Sequence, residues 1–331
     1  RKILDLFETV TGSMEESELV TIRIGILGID QNHRSADAII KNIEIVINKI
    51  KELEDKKYYF FDESMQKDVI ENEIIERELR KANHHGYARE FYLEYQPQID
   101  TRTGKIVGLE ALARWKNKEL GQISPLKFID IAEKRQLIVP LGEWILEEGC
   151  RFIKALRDMG FRNIRVAINI SVIQLLQDNF VESLMNIMKN TKVKPNTLEL
   201  EITETSLMSN YDIINKKLDI LKSMGISISL DDFGTGYSSL ARLKNLNIDV
   251  IKIDKSFIDG FTQRNSLIGN MVLLSKQLGL RLIAEGVETQ EQKEHLMCND
   301  CYIMQGFLFS RPVAMDKAID LIMANGVKGI D

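Results

Sequence analysis

LELEITE (residues 198–204) and ISISLDDFGTG (residues 226–236) are apolar, β-branched runs that both lead into acidic side chains. Between them, residues 211–224 have the apolar spacing of an amphipathic helix, and Gly225 follows at the position of a helix C-cap. The same order of strand, helix and glycine recurs along most of the chain. This order is typical of an α/β protein folded as a (β/α) barrel.

Polar side chains stand at the ends of these strand-like runs. They are Glu110, Asn169, Glu201, Asp231, Asp232, Lys252 and Glu285. Because the C-terminal ends of barrel strands meet at one mouth, we expect these side chains to converge there. Five clustered carboxylates repel one another unless cations lie among them, so the pattern predicts a divalent metal site. Oxygen donors without histidine favour Mg²⁺ or Mn²⁺, and paired carboxylates can hold two ions that activate water.

Each of these residues also has an ordinary structural interpretation. A single acidic residue is usually salt-bridged or exposed, Asn169 could cap a helix that begins near Ser171, and Lys252 could form a structural ion pair. Residues 305–306 could be only a tight turn. The shared site is favoured because several of the carboxylates lie within apolar runs, where an unpaired charge is costly.

The composition limits the classes of function. A chain of 331 residues can form one barrel and a smaller neighbouring unit, and its net charge of −5 argues against a surface for nucleic-acid polymers. No apolar run approaches the ~20 residues of a membrane span, so we expect no membrane segment in this chain and a cytoplasmic location, leaving open a membrane or sensor region upstream. The cysteine pair Cys298 and Cys301 is expected to be buried as small apolar residues, as is Cys150.

Eight ordered motifs point to a family. They are YQPQID (95–100), GLEALARW (108–115), NIS (169–171), ELEITET (199–205), DDFGTGYSSL (231–240), KID (252–254), AEGVET (284–289) and QGFLFSRP (305–312). In this order they resemble the EAL domain family, the bacterial phosphodiesterases that cleave cyclic di-GMP. The resemblance implies a modified TIM (β/α)8 barrel whose first strand is antiparallel to the others. It also implies hydrolysis of one 3′–5′ phosphodiester bond to linear pGpG, with Mg²⁺ or Mn²⁺, two ions in all.

The resemblance also implies a role for each polar residue. The expected ligands of the first metal are Glu110, Asn169, Glu201 and Asp231. Asp231 would bridge to a second ion with Asp232 beside it, Lys252 would orient the attacking water or offset phosphate charge, and Glu285 matches the general base. The two aspartates can both reach a metal only where the strand ends and its pleat relaxes into the following loop.

Substrate contacts and a loop residue follow from the same resemblance. Positions near the nucleotide are matched by Gln96, Leu112, Arg114, Glu288 and Gln305. The Arg114 guanidinium is suited to a bidentate grip on phosphate. Glu204 matches the glutamate that pins the glycine-rich loop over residues 232–239, and we expect it to be structural.

Three segments are predicted along the chain. Residues 1–62 resemble the C-terminal part of a GGDEF domain, the diguanylate cyclase fold, but lack the GGDEF tetrapeptide, so no cyclase activity is expected. A packing module without a ligand is the alternative for this segment. Residues 63–82 form a helical connector, and residues 83–331 form the EAL barrel, for which the family favours a homodimer through the barrel.

Three functions compete. The favoured one is an active cyclic di-GMP phosphodiesterase that lowers this second messenger. A catalytically silent cyclic di-GMP receptor is the nearest alternative, although degenerate members usually lack one of the acidic residues or the lysine that this chain retains. A barrel glycosidase rests on fold analogy alone and does not explain so many acidic residues at one mouth.

Overall fold

The structure is a computed structural model that describes residues 22–29, 35–51, 53, 56–204, 207, 210–235, 243–259 and 267–325. It divides into two compact units, residues 1–77 and residues 78–331. A helix expected at residues 1–10 lies outside the described residues, as does the second half of the glycine-rich loop.

The first unit contains a small parallel sheet. Strands β1 (Ile24–Ile26) and β2 (Tyr58–Phe60) pair in register, and helix α1 (Ala36–Lys51) makes the crossover that a parallel pair requires. Ile45 and Val46 of α1 form a core cluster with Met65. The sequence predicts a β-branched strand over residues 19–27, part of which lies outside the described residues, and a short aromatic strand over residues 58–61, which β2 matches to within one residue.

Helix α2 (Glu63–His85) follows the predicted connector and extends to the two histidines. His84 and His85 are exposed, as expected for a solvated helix end. The boundary between the two compact units falls within this helix.

The second unit has a closed barrel. The strands of the barrel are β3 (Phe91–Asp100), β4 (Lys105–Asn117), β6 (Arg165–Asn169), β7 (Leu198–Thr203), β8 (Ser227–Phe233), β9 (Val250–Ile253), β10 (Arg281–Ala284) and β11 (Ile303–Met304). Two short strands, β5 (Gly121–Ile123) and β12 (Val313–Ala314), add to them outside the ring. The ring runs β3–β4–β6–β7–β8–β9–β10–β11 and closes on β3. Strand β3 is antiparallel to both neighbours, whereas the other pairs around the ring are parallel. The predicted modified TIM barrel is confirmed.

Helices separate the parallel strands. They are α3 (Pro125–Lys134), α4 (Ile138–Asp158), α5 (Val172–Leu175), α6 (Phe180–Thr191), α7 (Tyr211–Ser223), α8 (Lys255–Asp259), α9 (Leu267–Leu278), α10 (Gln290–Cys298) and α11 (Met315–Ala324). Gly160, Gly225 and Gly279 follow α4, α7 and α9 with φ of 96°, 90° and 70°, a backbone conformation that glycine adopts without strain. The apolar spacing of residues 313–323 predicts a helix over that range, but α11 begins at Met315, because Val313 and Ala314 pair with β3 as a strand.

Strand alternation determines which side chains enter the barrel. In β7, Leu198, Leu200 and Ile202 lie on one face, and Glu199 and Glu201 on the other. Helix α7 buries Leu218 and Leu221. The apolar residues of the strand therefore pack outward against helices, and the acidic ones line the barrel interior.

Two further observations concern cysteines and membranes. Cys150 and Cys301 are buried as expected, but Cys298 is exposed, so that part of the prediction was wrong. Cys298 is the last residue of α10, whose buried residues are Gln292 and Leu296. Of the helices in the described ranges, none combines the length and the apolar character needed to cross a membrane.

Candidate active site

The Lys252 ammonium is the centre of the site. Lys252 is the third residue of β9, and its side chain is fully buried. Its Nζ lies 2.8 Å from Glu201 Oε2, 2.5 Å from Glu285 Oε1 and 3.3 Å from Asp231 Oδ1. Glu110 Oε2 is 3.7 Å away. Four acidic residues from four strands or strand ends thus share a single cation.

An amide network supports Glu110 from the other side. Asn169 Nδ2 donates to Glu110 Oε1 at 2.8 Å, and Gln305 Nε2 donates to Glu110 Oε2. Gln305 Nε2 also donates to Gln96 Oε1 at 3.0 Å, and Gln96 Nε2 donates to the Ser310 carbonyl oxygen at 3.0 Å. Asn169 ends β6, while Ser171 caps α5, so Asn169 is not the helix cap that the sequence left open.

Strand β8 carries a bulge at Asp231 and Asp232. Leu230 pairs with Ile251, but the next paired residue of β8 is Phe233, opposite Ile253. Asp232 has a φ of 53°, which turns its side chain out of strict alternation. Asp231 and Asp232 thus lie among the last three residues of β8, and the expectation that both reach one metal near the strand end stays a prediction.

Burial and mutual repulsion shift the ionisation of the acidic residues. Burial raises the pKa of Glu285 to about 8, with repulsion from Asp231 and Glu110 adding to the effect and Lys252 opposing it. Burial also raises the pKa of Glu201, again against the pull of Lys252. Burial and the charges of Asp231 and Asp254 raise the pKa of Asp232 to about 6. One ammonium therefore does not neutralise all of these carboxylates, and their full ionisation at neutral pH is disfavoured.

The pKa values of Glu110 and Lys252 are shifted in favour of their charged forms. Burial opposes ionisation of Glu110, but Lys252 and the hydrogen bonds from Gln305 and Asn169 outweigh it and lower its pKa. Burial likewise disfavours the charged Lys252, yet the surrounding carboxylates raise its pKa well above the usual value. Lys252 is thus held as an ammonium at neutral pH.

The donor set suits a hard divalent cation by its chemistry. Throughout the described ranges, no three or more His, Cys, Asp and Glu side chains are spaced for a metal ion, since the acidic residues close on the Lys252 ammonium instead. Glu201 Oε1 is nevertheless buried without a hydrogen-bond partner. An oxygen in that state is costly and is a natural ligand for Mg²⁺ or Mn²⁺. The residues therefore fit such an ion, although the predicted ligand assignments stay predictions.

Arg114 and Leu112 follow Glu110 along the same face of β4. Alternation places all three side chains towards the barrel interior and its mouth. Arg114 Nε donates to Glu94 Oε2 at 2.7 Å, and its NH1 donates to the Ala113 carbonyl oxygen. This leaves the outer edge of the guanidinium available to an anion.

Glu288 lies apart from the cluster at the next loop. Its Oε1 accepts from Lys255 Nζ at 2.6 Å, and its backbone N–H donates to Gln292 Oε1. The structure thus shows Glu288 in an exposed ion pair, and its nucleotide contact stays a prediction.

Glu204 holds the start of the glycine-rich loop. It is almost fully buried, and its Oε2 accepts from the Gly234 backbone N–H at 2.7 Å. Gly234 has a φ of 98°, so this turn favours glycine. The contact is the kind expected for a residue that pins the loop.

Sequence reasoning missed three residues at the site. Asp254 ends the KID motif and acts on the charge of Asp232, Glu94 pairs with Arg114, and Ser229 lies buried opposite Glu201 with an unpaired hydroxyl. A period-two count from Gln96 or Asp231 would have placed Glu94 and Ser229 on the interior face. The position of Asp254 just past β9 was a comparable signal.

Comparison with known proteins identifies the family. The family model described as EAL domain matches residues 76–312. The chain is 34% identical over 303 residues to the bifunctional diguanylate cyclase/cyclic di-GMP phosphodiesterase MucR of Pseudomonas aeruginosa, covering 91% of this chain and 44% of that protein. It is 34% identical over 293 residues to the cyclic di-GMP phosphodiesterase PdeR of Escherichia coli, covering 88% and 44%. The chain therefore spans less than half the length of these curated relatives.

Solved structures agree on the fold. The structure described as the PaMucR phosphodiesterase in complex with c-di-GMP superposes with a TM-score of 0.70 at 38% identity, over 74% of this chain and 99% of that one. The EAL enzyme Bd1971, in its cAMP-bound form, gives a TM-score of 0.72 at 27% identity, over 89% and 80%.

Proposed function

The chain belongs to the EAL domain family, and from this premise we propose that it hydrolyses cyclic di-GMP to linear pGpG. The observation that carries the proposal is the buried Lys252 ammonium surrounded by Glu201, Glu285, Asp231 and Glu110 at the C-terminal ends of the parallel strands. Phosphodiesterase names among the relatives and a relative solved with c-di-GMP support the choice of substrate.

We propose Mg²⁺ or Mn²⁺ as the cofactor, with two ions per site. The first would be held by Glu110, Asn169, Glu201 and Asp231, and the second by Asp231 and Asp232. When bound, such ions lower the pKa of a water molecule and offset charge on the phosphodiester. The unpaired Glu201 Oε1 and the surplus of carboxylates support this assignment.

The side chains of this chain divide the remaining work. Glu285, with a pKa of about 8, accepts the proton of the attacking water, since a base is most effective when its pKa lies near the working pH. Lys252 keeps its charge and offsets the negative charge that grows on the phosphorane oxygens. Glu285 and Lys252 form an ion pair with each other, so proton transfer and charge stabilisation take place side by side.

Substrate positioning falls to the mouth of the barrel. Arg114 grips a non-bridging phosphate oxygen pair through the edge that Glu94 and Ala113 leave open. Gln96, Leu112, Glu288 and Gln305 contact the nucleotide around it. Gln305 also orients Glu110, which links substrate contact to the metal ligands.

The organisation of the whole chain is part of the proposal. We propose residues 1–62 as a degenerate GGDEF-like segment, residues 63–82 as a connector and residues 83–331 as the catalytic barrel, which works as a cytoplasmic homodimer. Light scattering after gel filtration tests the dimer, with a mass of about 38.0 kDa contradicting it.

A turnover assay tests the activity. The purified chain is incubated with Mg²⁺ and cyclic di-GMP, and pGpG is followed by chromatography. Turnover that EDTA abolishes and Glu110→Gln reduces by orders of magnitude is expected, with the surface variant Lys154→Met as the control. Tight binding without turnover would instead indicate a receptor, and neither binding nor turnover would remove the proposal.

A further inference from the structure

A second polar pocket lies at the opposite end of the barrel. Arg165, Ser227 and Arg281 are the first residues of β6, β8 and β10, so they stand at the N-terminal ends of parallel strands. With Lys222 and Asp249 they line a pocket of about 200 Å³. The candidate active site is at the other ends of these strands, and the two sites share no residue.

The acidic groups near this pocket are already engaged. Asp249 Oδ1 lies 3.0 Å from Lys222 Nζ, and its Oδ2 accepts from the Ile228 backbone N–H at 2.9 Å. Glu199 Oε2, buried behind the pocket, accepts from Arg281 NH2 at 2.7 Å and from the Ser227 hydroxyl at 2.9 Å. Each carboxylate therefore has its own cationic partner, and the second oxygen of Glu199, Oε1, is buried without a hydrogen-bond partner.

Arg165 differs from the other two cations of the pocket, Lys222 and Arg281. Throughout the described part of the chain, no hydrogen bond or ion pair is formed by its half-buried guanidinium. Burial and the Arg281 charge lower its pKa, and the carboxylates Glu199 and Asp249 compensate only partly. Two guanidinium groups thus face one pocket with a deficit of negative charge, which is unfavourable unless an anion completes it.

We propose that this pocket binds a tetrahedral oxyanion of the phosphate class, held by Arg165, Arg281 and Lys222. Guanidinium groups on separate strands approach the pocket from different directions, which suits an anion with several oxygens better than a planar carboxylate. The anion can be inorganic phosphate or the terminal phosphate of a nucleotide, and both present the same chemistry.

Binding is tested on EDTA-treated protein, because a metal at the active site would offer phosphate a second place. Without metal, the acidic mouth of the barrel repels anions. Isothermal titration with inorganic phosphate is expected to show one saturable site, and Arg165→Gln to weaken it by about tenfold or more. Arg89→Gln, which removes an exposed arginine elsewhere on the barrel unit, should leave binding unchanged.

Thermal stability provides a second test, because Arg165→Gln should affect the Tm differently without and with phosphate. Without phosphate, Arg165→Gln should keep or raise the Tm, because it removes repulsion from Arg281 and leaves no carboxylate unpaired. With phosphate, the wild-type Tm should rise and that of Arg165→Gln should not.

Three outcomes would overturn the proposal. They are an absence of saturable phosphate binding to the wild type, equal binding by Arg165→Gln, and a Tm loss in Arg165→Gln without any change in phosphate response. Titration with guanosine 5′-monophosphate beside phosphate and guanosine distinguishes the sources. Equal affinity for guanosine 5′-monophosphate and phosphate indicates that the pocket binds free phosphate. Tighter binding of guanosine 5′-monophosphate indicates that it binds the phosphate of a nucleotide.

Discussion

Lys252 is the residue on which the charge balance of the active site depends. It is the only cation that the structure places among Glu110, Glu201, Asp231 and Glu285 within the described residues. A buried ammonium is costly alone, and so are buried carboxylates, so neither partner is stable without the other. The same lysine therefore has a structural role beside the catalytic role proposed for it.

Replacing Lys252 by methionine should destabilise the metal-free protein by about 3–5 kcal/mol, because it leaves buried carboxylates unpaired. Urea unfolding in EDTA measures this change. Excess Mg²⁺ should recover part of the loss, since an ion can take the place of the ammonium. The exposed pair of Lys154 and Asp158 gives a control, and Lys154→Met should change stability by less than about 0.5 kcal/mol. Equal effects of the two substitutions would contradict the central position of Lys252.

Arg114 is the second residue whose geometry makes a clear prediction. Its Nε is held by Glu94, so the planar guanidinium has one orientation. Arg114→Lys should raise KM for cyclic di-GMP by about tenfold or more with little change in kcat, because lysine cannot form the bidentate contact. Steady-state kinetics on the two proteins decide this, and a loss confined to kcat would argue for a role in the chemical step instead.

The bulge in β8 is the element that sets the backbone at two of the proposed metal ligands. It interrupts the pairing of β8 with β9 between Leu230 and Phe233, and Asp232 there has a positive φ. Aspartate and asparagine tolerate this conformation better than β-branched residues do. The backbone and the chemistry thus restrict the same position in different ways.

Two substitutions at Asp232 should separate these restrictions. Asp232→Asn should keep the fold and, without metal, gain a little stability by removing repulsion from Asp231 and Asp254, while turnover falls by orders of magnitude. Asp232→Val should lose about 1–3 kcal/mol of stability through backbone strain. Thermal unfolding with turnover measured in parallel checks both, and a valine variant as stable as wild type would refute the strained bulge.

A side-chain contact with a backbone amide holds the start of the loop after β8. Glu204 Oε2 accepts from the Gly234 N–H and fixes where the loop begins. Glu204→Ala should reduce turnover strongly and weaken Mn²⁺ binding, whereas Glu204→Gln should recover part of both because its amide oxygen can still accept. Calorimetric Mn²⁺ titration measures the binding. If alanine and glutamine behave alike, hydrogen bonding to the loop is not the cause.

The whole barrel has two polar ends joined by a largely apolar wall. The active site at the C-terminal ends carries excess negative charge, and the pocket at the N-terminal ends carries excess positive charge. Parallel strands make this separation possible, because all their C-terminal ends face the same way. Cations and anions therefore stabilise opposite ends of one molecule.

Charge at the active site should make the stability of the metal-free protein depend on pH. Glu285 has a folded pKa of about 8, above its usual 4.5, so the folded state favours its protonated form. The stability from this group is complete below about pH 4.5 and is lost as pH rises to about 8. Glu201 acts in the same direction, and Asp232 adds a loss around pH 6.

Urea unfolding between pH 5 and pH 8 measures this loss, in EDTA and in excess Mg²⁺. A decline in EDTA that Mg²⁺ flattens is expected, because the ion stabilises the ionised carboxylates. A metal-free protein whose stability is constant or rises over that range would show that Lys252 alone balances the acidic residues.

Much of the architecture was predictable from local patterns. The sequence LELEITE shows the alternation of apolar and polar residues in β7, and Gly225 marks the end of α7. Both are predictable because strand period and helix caps are properties of neighbouring residues. The short β1 and the strand at Val313 were less accessible, since pairing with a distant strand decides them.

The sequence by itself determined the barrel, its order of strands and helices, and the set of polar residues at the strand ends. Only the tertiary structure decided how those residues share charge, with Lys252 among the carboxylates, Glu94 against Arg114 and Arg165 without a partner among the described residues. The reason is physical. Hydrophobic alternation is written along the chain, whereas the free energy of a buried charge depends on groups brought within a few ångströms by strands far apart in sequence.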